Sequence, residues 1–468
     1  MRALLLAGAL LALAGAVAWR LLAPPPLEVP AAGVVLRHVT LVEPGRGARE
    51  DRTLTVVADR IEAIAPSRPD EPPGPFAGRF VAPGLIDLHV HHPPAVALGE
   101  RSLFDLLFLL HGVTSVRDTG DVLGSLWEQR RRVAAGETPG PRIFSCGTIL
   151  DGPSPVWPGT RVVEDAPQGQ RAVEELARAG ADCVKVYNDL SPEAYRAIVD
   201  AAAARGLPVV AHVPWSVPLP SLGRVEVQHL MGLTDDWEEV PPQLVRWYVH
   251  VSQATGISHT PTLVTFARAA ELDQYERLAA SPLARLLPRY WRRLVWNPSR
   301  NPLVAELSPA GGGDARSRIA RMMELVGALH AAGVPVLAGT DTPQPFVVPG
   351  AGLHEELRLL AEAGLGLEGA WAAATRKAGE ALRVPGLGTL EPGAPADLLV
   401  LREDPTRHLE ALSTLEAVVA AGRLYRREAL EQALAEQRAH FDGFPYRSLS
   451  EAAAALLLRL YQDEPGDR

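Results

Sequence analysis

Short runs of β-branched residues fill positions 34–42 and 53–64, separated by Pro44-Gly45-Arg46-Gly47, a hairpin-like interruption. A proline-rich stretch from Pro66 to Pro75 ends this small β unit. From Val81 the pattern changes to apolar runs alternating with helical stretches, which implies a parallel sheet. Strands are predicted at 85–91, 113–118, 142–146, 183–187, 209–213, 225–229, 257–263 and 334–340. Eight such strands point to an α/β chain built as a (β/α)8 barrel of TIM type. Short β patterning returns at 396–401 and at 415–424 around Gly422, as if the chain re-entered the first small sheet. The last segment, 428–461, reads as helix broken around Gly443-Phe444-Pro445. The predicted organisation is a leader over 1–23, a linker over 24–33, a β unit from 34–82 and 385–425, a barrel over 83–384 and a helical extension over 426–468.

Composition changes this picture little. The 468 residues are 47% hydrophobic and 22% charged, ordinary for a globular chain and contrary to disorder. Lysine plus arginine number 46 against 55 aspartates and glutamates, a balance of −9. No global basic field exists to attract nucleic acid. The N-terminus changes more. Met1-Arg2 precedes an uncharged run from Ala3 to Trp19 that contains Ala16-Val17-Ala18. That is a secretory signal pattern, so export to a periplasmic or extracellular space is expected. Arg20 stops the run short of the roughly 20 residues that span a bilayer, while Leu21 and Leu22 extend it toward a retained membrane anchor. Pro24-Pro25-Pro26 then reads as a stiff spacer. Cys146 and Cys183 lack the C-x-x-C spacing of a metal or redox motif and are expected as two buried thiols.

His89 and His91 lie two apart on the first barrel strand, so both side chains leave one face and can grip one ion. Lys185, His212, His229 and Asp341 fall at or near the C-terminal ends of strands four, five, six and eight. Active sites of such barrels are built at that end, so six polar side chains are expected to converge there. Any one of them has a plain structural reading, as a hydrogen-bonded core histidine or a snorkelling lysine. Jointly, four imidazoles and a carboxylate suit zinc and similar divalent ions.

These motifs resemble the amidohydrolase superfamily, most closely its imidazolonepropionase-like and Xaa-Pro dipeptidase branch. The matching segments are Ala82-Pro83-Gly84-Leu85-Ile86-Asp87-Leu88-His89-Val90-His91, Val184-Lys185-Val186-Tyr187, Ala211-His212-Val213, Gln228-His229-Leu230, Ala338-Gly339-Thr340-Asp341 and the tail from Gly388 to Leu398. The resemblance implies that His89, His91 and Asp341 bind a first divalent metal ion, zinc by preference, and His212 and His229 a second. It implies an N-carboxylated Lys185 bridging the two, because an unmodified ammonium has no acceptor. It also implies one composite β-sandwich made by the flanking segments. Gln228 stands where relatives often carry glutamate, and is expected to point away from the metals.

The implied activity is metal-dependent hydrolysis of an amide bond in a small substrate. A dipeptide, Xaa-Pro or similar, or an N-acyl amino acid is the leading expectation. A cyclic amide, lactone or phosphotriester is the alternative chemistry, and a non-catalytic binding scaffold the alternative class. Asp341 is the expected proton shuttle. Tyr187, His354, Arg117 and His259 are candidate substrate contacts, since each lies near a strand end or at a recurrent family position. The interval 264–333, holding Trp291, Trp296 and Gly311-Gly312-Gly313, is either a lid or a surface insertion. Oligomeric state is not encoded in any of these features.

Overall fold

The computed structural model describes residues 22–463, other than 95, 96, 98, 122–125, 158, 235, 236, 238, 239 and 308–314. The apolar run before Arg20 and the three glycines at 311–313 lie outside the described residues. Among the described residues no helix is long and apolar enough to cross a membrane.

The flanking β segments form one seven-stranded sheet. Its strands are β1 (Val34–Glu43), β2 (Arg46–Val57), β3 (Arg60–Pro66) and β4 (Phe80–Pro83) from the N-terminal flank. The strands numbered β14 (Leu398–Leu401), β15 (Leu415–Ala420) and β16 (Arg423–Arg426) come from the C-terminal flank. The order is β16-β15-β14-β4-β1-β2-β3, so the two ends of the chain meet where β14 runs antiparallel to β4. The β-patterned stretch 53–64 reverses inside itself: Ala58, at φ 50°, and Asp59 turn β2 back onto β3. Period-two alternation gives β14 two jobs. Leu398 and Val400 pack among Leu36, Leu41, Leu54 and Val419 in the flank core, whereas Leu399 and Leu401 join the main core.

The central strands are β5 (Leu85–Val90), β6 (Val113–Asp118), β7 (Arg142–Ser145), β8 (Leu150–Asp151), β9 (Arg161–Val162), β10 (Val184–Val186), β11 (Val209–Ala211), β12 (Glu226–Gln228) and β13 (Ser258–Thr260). They pair in parallel as β5-β6-β7 and as β13-β12-β11-β10-β8-β9. Helices Glu100–Leu110, Leu126–Ala134, Ala166–Ala179, Pro192–Ala204 and Pro242–Thr255 connect many of them. Asp165 and Ser191 cap two of these helices by accepting from Gln168 N and Ala194 N. The expected eighth strand is not a regular strand. It touches both sheets through parallel bridges, Val336 to His259 and Thr342 to Val90. Leu337 N donates to His259 O at 2.8 Å on one side, and Leu88 N to Ala338 O at 3.1 Å on the other.

The expected linker lies against this body: Leu27 packs on the main core, as does Leu22 just before it, and Arg423 Nη1 donates to Pro30 O at 2.7 Å. The long interval after β13 also packs inward, with Trp296 almost fully buried and its indole donating to Pro343 O at 2.9 Å.

The two cysteines are not free thiols, as the sequence suggested, but form a Cys146–Cys183 disulfide. Topology is the reason: Asp182 N bonds Ser145 O at 2.9 Å, so residues 37 apart in sequence become neighbours. Closing a loop of that length restricts the unfolded chain. Replacing both cysteines with alanine should therefore lower unfolding stability by roughly 3–4 kcal/mol. Denaturant titration checks this, with alkylation of the unfolded, unreduced protein modifying no thiol.

Candidate metal centre

Alternation along the central strands decides which side chains face inward. On β5, Asp87 and His89 share a face, as do Lys185 and Tyr187 about β10, and Glu226 and Gln228 on β12. At two strand ends the backbone leaves this rule. His229 and Asp341 adopt left-handed φ of 58° and 59°, and Thr262, beyond β13, has φ 50°. Such conformations are uncommon outside glycine and gather at functional sites. At His229 the turn lets consecutive residues, Gln228 and His229, both face the centre. Gly339 permits the close approach of the eighth segment: a Cβ there would lie 3.0 Å from His89 N and 2.5 Å from Thr260 Cγ2.

The imidazoles converge on one carboxylate. Asp341 Oδ1 lies 3.1 Å from His91 Nε2 and 3.4 Å from His89 Nε2, and its Oδ2 lies 4.0 Å from His229 Nε2. The ligand atoms of His89, His229 and Asp341 fall within 4.8 Å of one another. His212 completes the group, its ring centroid 4.8 Å from that of His229. Three of the rings are oriented from behind through Nδ1. His89 Nδ1 meets Gln228 Oε1 at 2.5 Å, His212 Nδ1 meets Asn188 Oδ1 at 3.2 Å, and His229 Nδ1 meets Thr262 Oγ1 at 2.7 Å. With Nδ1 donating to oxygen, each Nε2 keeps a lone pair turned inward, the tautomer a metal requires.

Electrostatics favour the same state. Burial, then the charge of Lys185, hold His89 and His212 well below the ordinary imidazole range, and burial brings His229 to about 3. Burial opposes ionisation of Asp341, but hydrogen bonding from His91 and the neighbouring cations hold it below the usual carboxylate value. Burial likewise depresses Lys185 to about 7. Its Nζ is buried without a hydrogen-bond partner. An ammonium left so is costly, which makes this amine the misfit of the site. Against burial, the bond to Asp341 raises His91. Three imidazoles held neutral, a fourth paired with the one carboxylate, and an orphaned amine fit divalent-ion binding.

Tyr187 lies against the cluster, stacked on His212 at 4.0 Å between centroids, with Trp157 Nε1 donating to its hydroxyl at 2.7 Å. The other three expected substrate contacts lie elsewhere. Arg117 is buried beneath the histidines, donating through Nη1 to Glu226 Oε2 at 2.8 Å, through Nη2 to Glu226 Oε1, and through Nε to Leu88 O at 2.8 Å. His259 follows strand alternation outward, its Nε2 meeting Ser252 Oγ at 2.9 Å under the helix Pro242–Thr255. His354 Nε2 meets the His111 carbonyl at 2.7 Å, and its ring packs against that of His111.

Gln228 supports the cluster from behind, on the His89 nitrogen turned away from Asp341. Its amide donates to Glu226 Oε1 at 3.0 Å, which fixes the carbonyl end on His89. Glu226 also accepts from Thr260 Oγ1 at 2.6 Å. Asp87 takes bonds from Thr340 N at 3.0 Å and Thr340 Oγ1 at 2.7 Å, tying the segment that carries Asp341 to β5. The sequence signal for Glu226 was its place two residues before Gln228 on the same face. Nothing local marked Asn188 or Thr262.

Comparison with known proteins follows this geometry. The amidohydrolase family matches over residues 80–424. An uncharacterised protein of Mycobacterium tuberculosis (strain ATCC 25618 / H37Rv) is 28% identical over 370 residues, covering 75% of this chain and 86% of its own. The solved bottromycin amidohydrolase superposes with a TM-score of 0.71 at 25% identity, over 87% of this chain and 90% of that one. A Bifidobacterium longum structure described as a prolidase does so with a TM-score of 0.65 at 26% identity, over 87% and 99%. With a family match across most of the chain and histidines gathered about Asp341, the protein belongs to the amidohydrolase family and is a hydrolase acting on carbon–nitrogen bonds.

Proposed function

We propose that the protein cleaves the amide bond of a small substrate ending in a free carboxylate, a dipeptide of Xaa-Pro type or an N-acyl amino acid. The observation that carries this reading is the convergence of His89, His91 and His229 on Asp341, with His212 against His229 and a buried, unpartnered Lys185 in the same cluster. The prolidase description of the Bifidobacterium longum structure supports the substrate class. In this reading the links made by the eighth segment complete a ring of strands, with the site at its mouth and the flank sheet beside it as a composite sandwich. His89, His91 and Asp341 would hold one divalent ion, His212 and His229 a second, zinc being the first candidate for both. Lys185 as a carbamate would serve both. Its neutral amine adds to carbon dioxide, forming an N–C bond and losing a proton, so an orphaned donor becomes an anionic acceptor.

When bound, the ions supply Lewis acidity, which lowers the pKa of a water toward about 7 and polarises the scissile carbonyl. The chain supplies the proton path and the positioning. Asp341 accepts the proton of the attacking water and delivers it to the leaving nitrogen. The Tyr187 hydroxyl accepts from Trp157, which leaves its own proton to donate to a substrate carboxylate or carbonyl. Burial raises its pKa, so it stays protonated at neutral pH. The N-terminal run is read as an export signal or anchor, and cell fractionation that left the whole chain in the cytosol would overturn that part.

A screen of dipeptides and N-acyl amino acids on protein of measured metal content tests the function. Turnover confined to Xaa-Pro and related substrates is the expected result, with metal loading that depends on bicarbonate. Turnover of cyclic amides or lactones alone would overturn the substrate class. Asp341→Asn keeps size and one coordinating oxygen but cannot accept a proton, so metal-replete variant should lose roughly 10²–10⁴-fold in kcat. Loss that tracks metal content and is restored by excess metal would reduce Asp341 to a ligand. Gln228→Leu removes the bond that orients His89. Metal affinity, measured by competition with a chelator, should fall roughly 10–100-fold while the fold persists.

A further inference from the structure

The family match ends at residue 424, and the two helices beyond it, Arg427–Asp442 and Tyr446–Asp463, have no part in the site described above. They are firmly held. Tyr446 Oη donates to Glu100 Oε1 at 2.7 Å, while Tyr290 Oη and Trp291 Nε1 donate to the other oxygen at 2.8 and 2.9 Å. The first exposes polar residues, but the second and the turn before it are apolar outside: Phe444 is 87% exposed, Leu449 52%, Leu456 58% and Leu457 60%. Leu449, Leu456 and Leu457 have the spacing of one helix face. Glu451 lies on the opposite face, 3.6 Å from Arg289 and 3.8 Å from Arg293. Large apolar side chains gathered in water mark an interaction surface.

Charge and chain path indicate what that surface meets. Although the chain carries −9 overall, residues 284–300 hold five arginines and no acid. Arg289, Arg292, Arg293 and Arg300, with Glu276 as the single acid, line a cavity of about 440 Å³. Burial and the neighbouring charges, Asp442 against Arg285, Arg289 and Arg438, act on Arg292, which places this segment against the end of the first of the two helices. Finally, His440 Nε2 lies 3.0 Å from the carbonyl oxygen of Leu22. Leu22, the first described residue, thus lies beside His440, four residues before the exposed Phe444.

We propose that Phe444 and the outer face of Tyr446–Asp463 form a docking surface for an anionic lipid bilayer, with the arginine segment 284–300, which packs behind that helix through Glu451, at its rim. The leucines and Phe444 enter the boundary between headgroups and acyl chains, and the arginines meet lipid phosphates. A retained N-terminal run enters the same bilayer from the adjoining position. This goes beyond amide hydrolysis and stands or falls separately from it.

The test labels Leu456→Cys in the full chain with a polarity-sensitive fluorophore, single labelling being possible because Cys146 and Cys183 are paired. The protein is reconstituted with phosphatidylcholine vesicles, with or without phosphatidylglycerol. The expected result is a blue shift and quenching by brominated acyl chains, stronger on anionic vesicles and reduced by salt, while a label at exposed Val57→Cys stays water-like. Arg285→Gln with Arg292→Gln should remove most of the difference between anionic and neutral vesicles. Two results overturn the proposal. One is a label at 456 that stays in water while the chain floats with the vesicles, which leaves only the N-terminal run as anchor. The other is a label already shielded without lipid together with a doubled sedimentation mass, which gives the face to a second copy of the chain.

Discussion

Glu226 is the constraint on which the centre of this molecule depends. A carboxylate buried at the middle of a parallel sheet is sustained only by cations and hydrogen-bond donors, and here it has Arg117, Thr260 and Gln228. Those three come from β6, from the end of β13 and from β12 itself, so one charge gathers three strands. Satisfying Glu226 sets the Gln228 amide, the amide sets the His89 ring, and His89 turns its free nitrogen to Asp341. Removing either partner of such a buried pair costs about 3–5 kcal/mol, because the other charge is left uncompensated. The same network that holds the strands together therefore holds the reactive side chains in one orientation.

Above this polar layer the strand ends are bent out of regular geometry. His229, Thr262 and Asp341 are in left-handed conformations that the rest of the fold must sustain. Bonds on both sides supply that support: Asp341 N donates to His89 O at 2.7 Å, and Thr340 is held by Asp87. The bend lets a strand end present side chains that alternation would otherwise place on opposite faces, which is how so many ligand atoms crowd into so small a volume.

The periphery is tied to this centre through ordinary packing. Trp296 bonds the carbonyl of Pro343, two residues past Asp341, and its ring packs 5.7 Å from Trp291, which in turn bonds Glu100 beside Tyr446. The interval after β13 and the C-terminal helices are thereby connected to the segment that carries the carboxylate. The flank sheet is joined differently, by β14, whose alternate residues belong to two cores at once.

Sequence alone determined the alternation of strands and helices, the flanking β segments, and the set His89, His91, Lys185, His212, His229 and Asp341, because apolar period and side-chain chemistry are local properties. It put Tyr187 on the face of Lys185 for the same reason, two residues along a strand. Only the tertiary structure decided that Cys146 and Cys183 meet, since their contact depends on which strands become neighbours. It alone decided that Arg117 lies under the site and not in it, because the depth of a residue along an inward face is set by partners more than 100 positions away. His259 and His354 were equally ambiguous. Each has a hydrogen-bond partner on a helix or loop that no local pattern announces. Gln228 is the sharpest case: strict alternation opposes it to His229, and the left-handed turn at His229, a product of the packed strand end, brings both to the same centre.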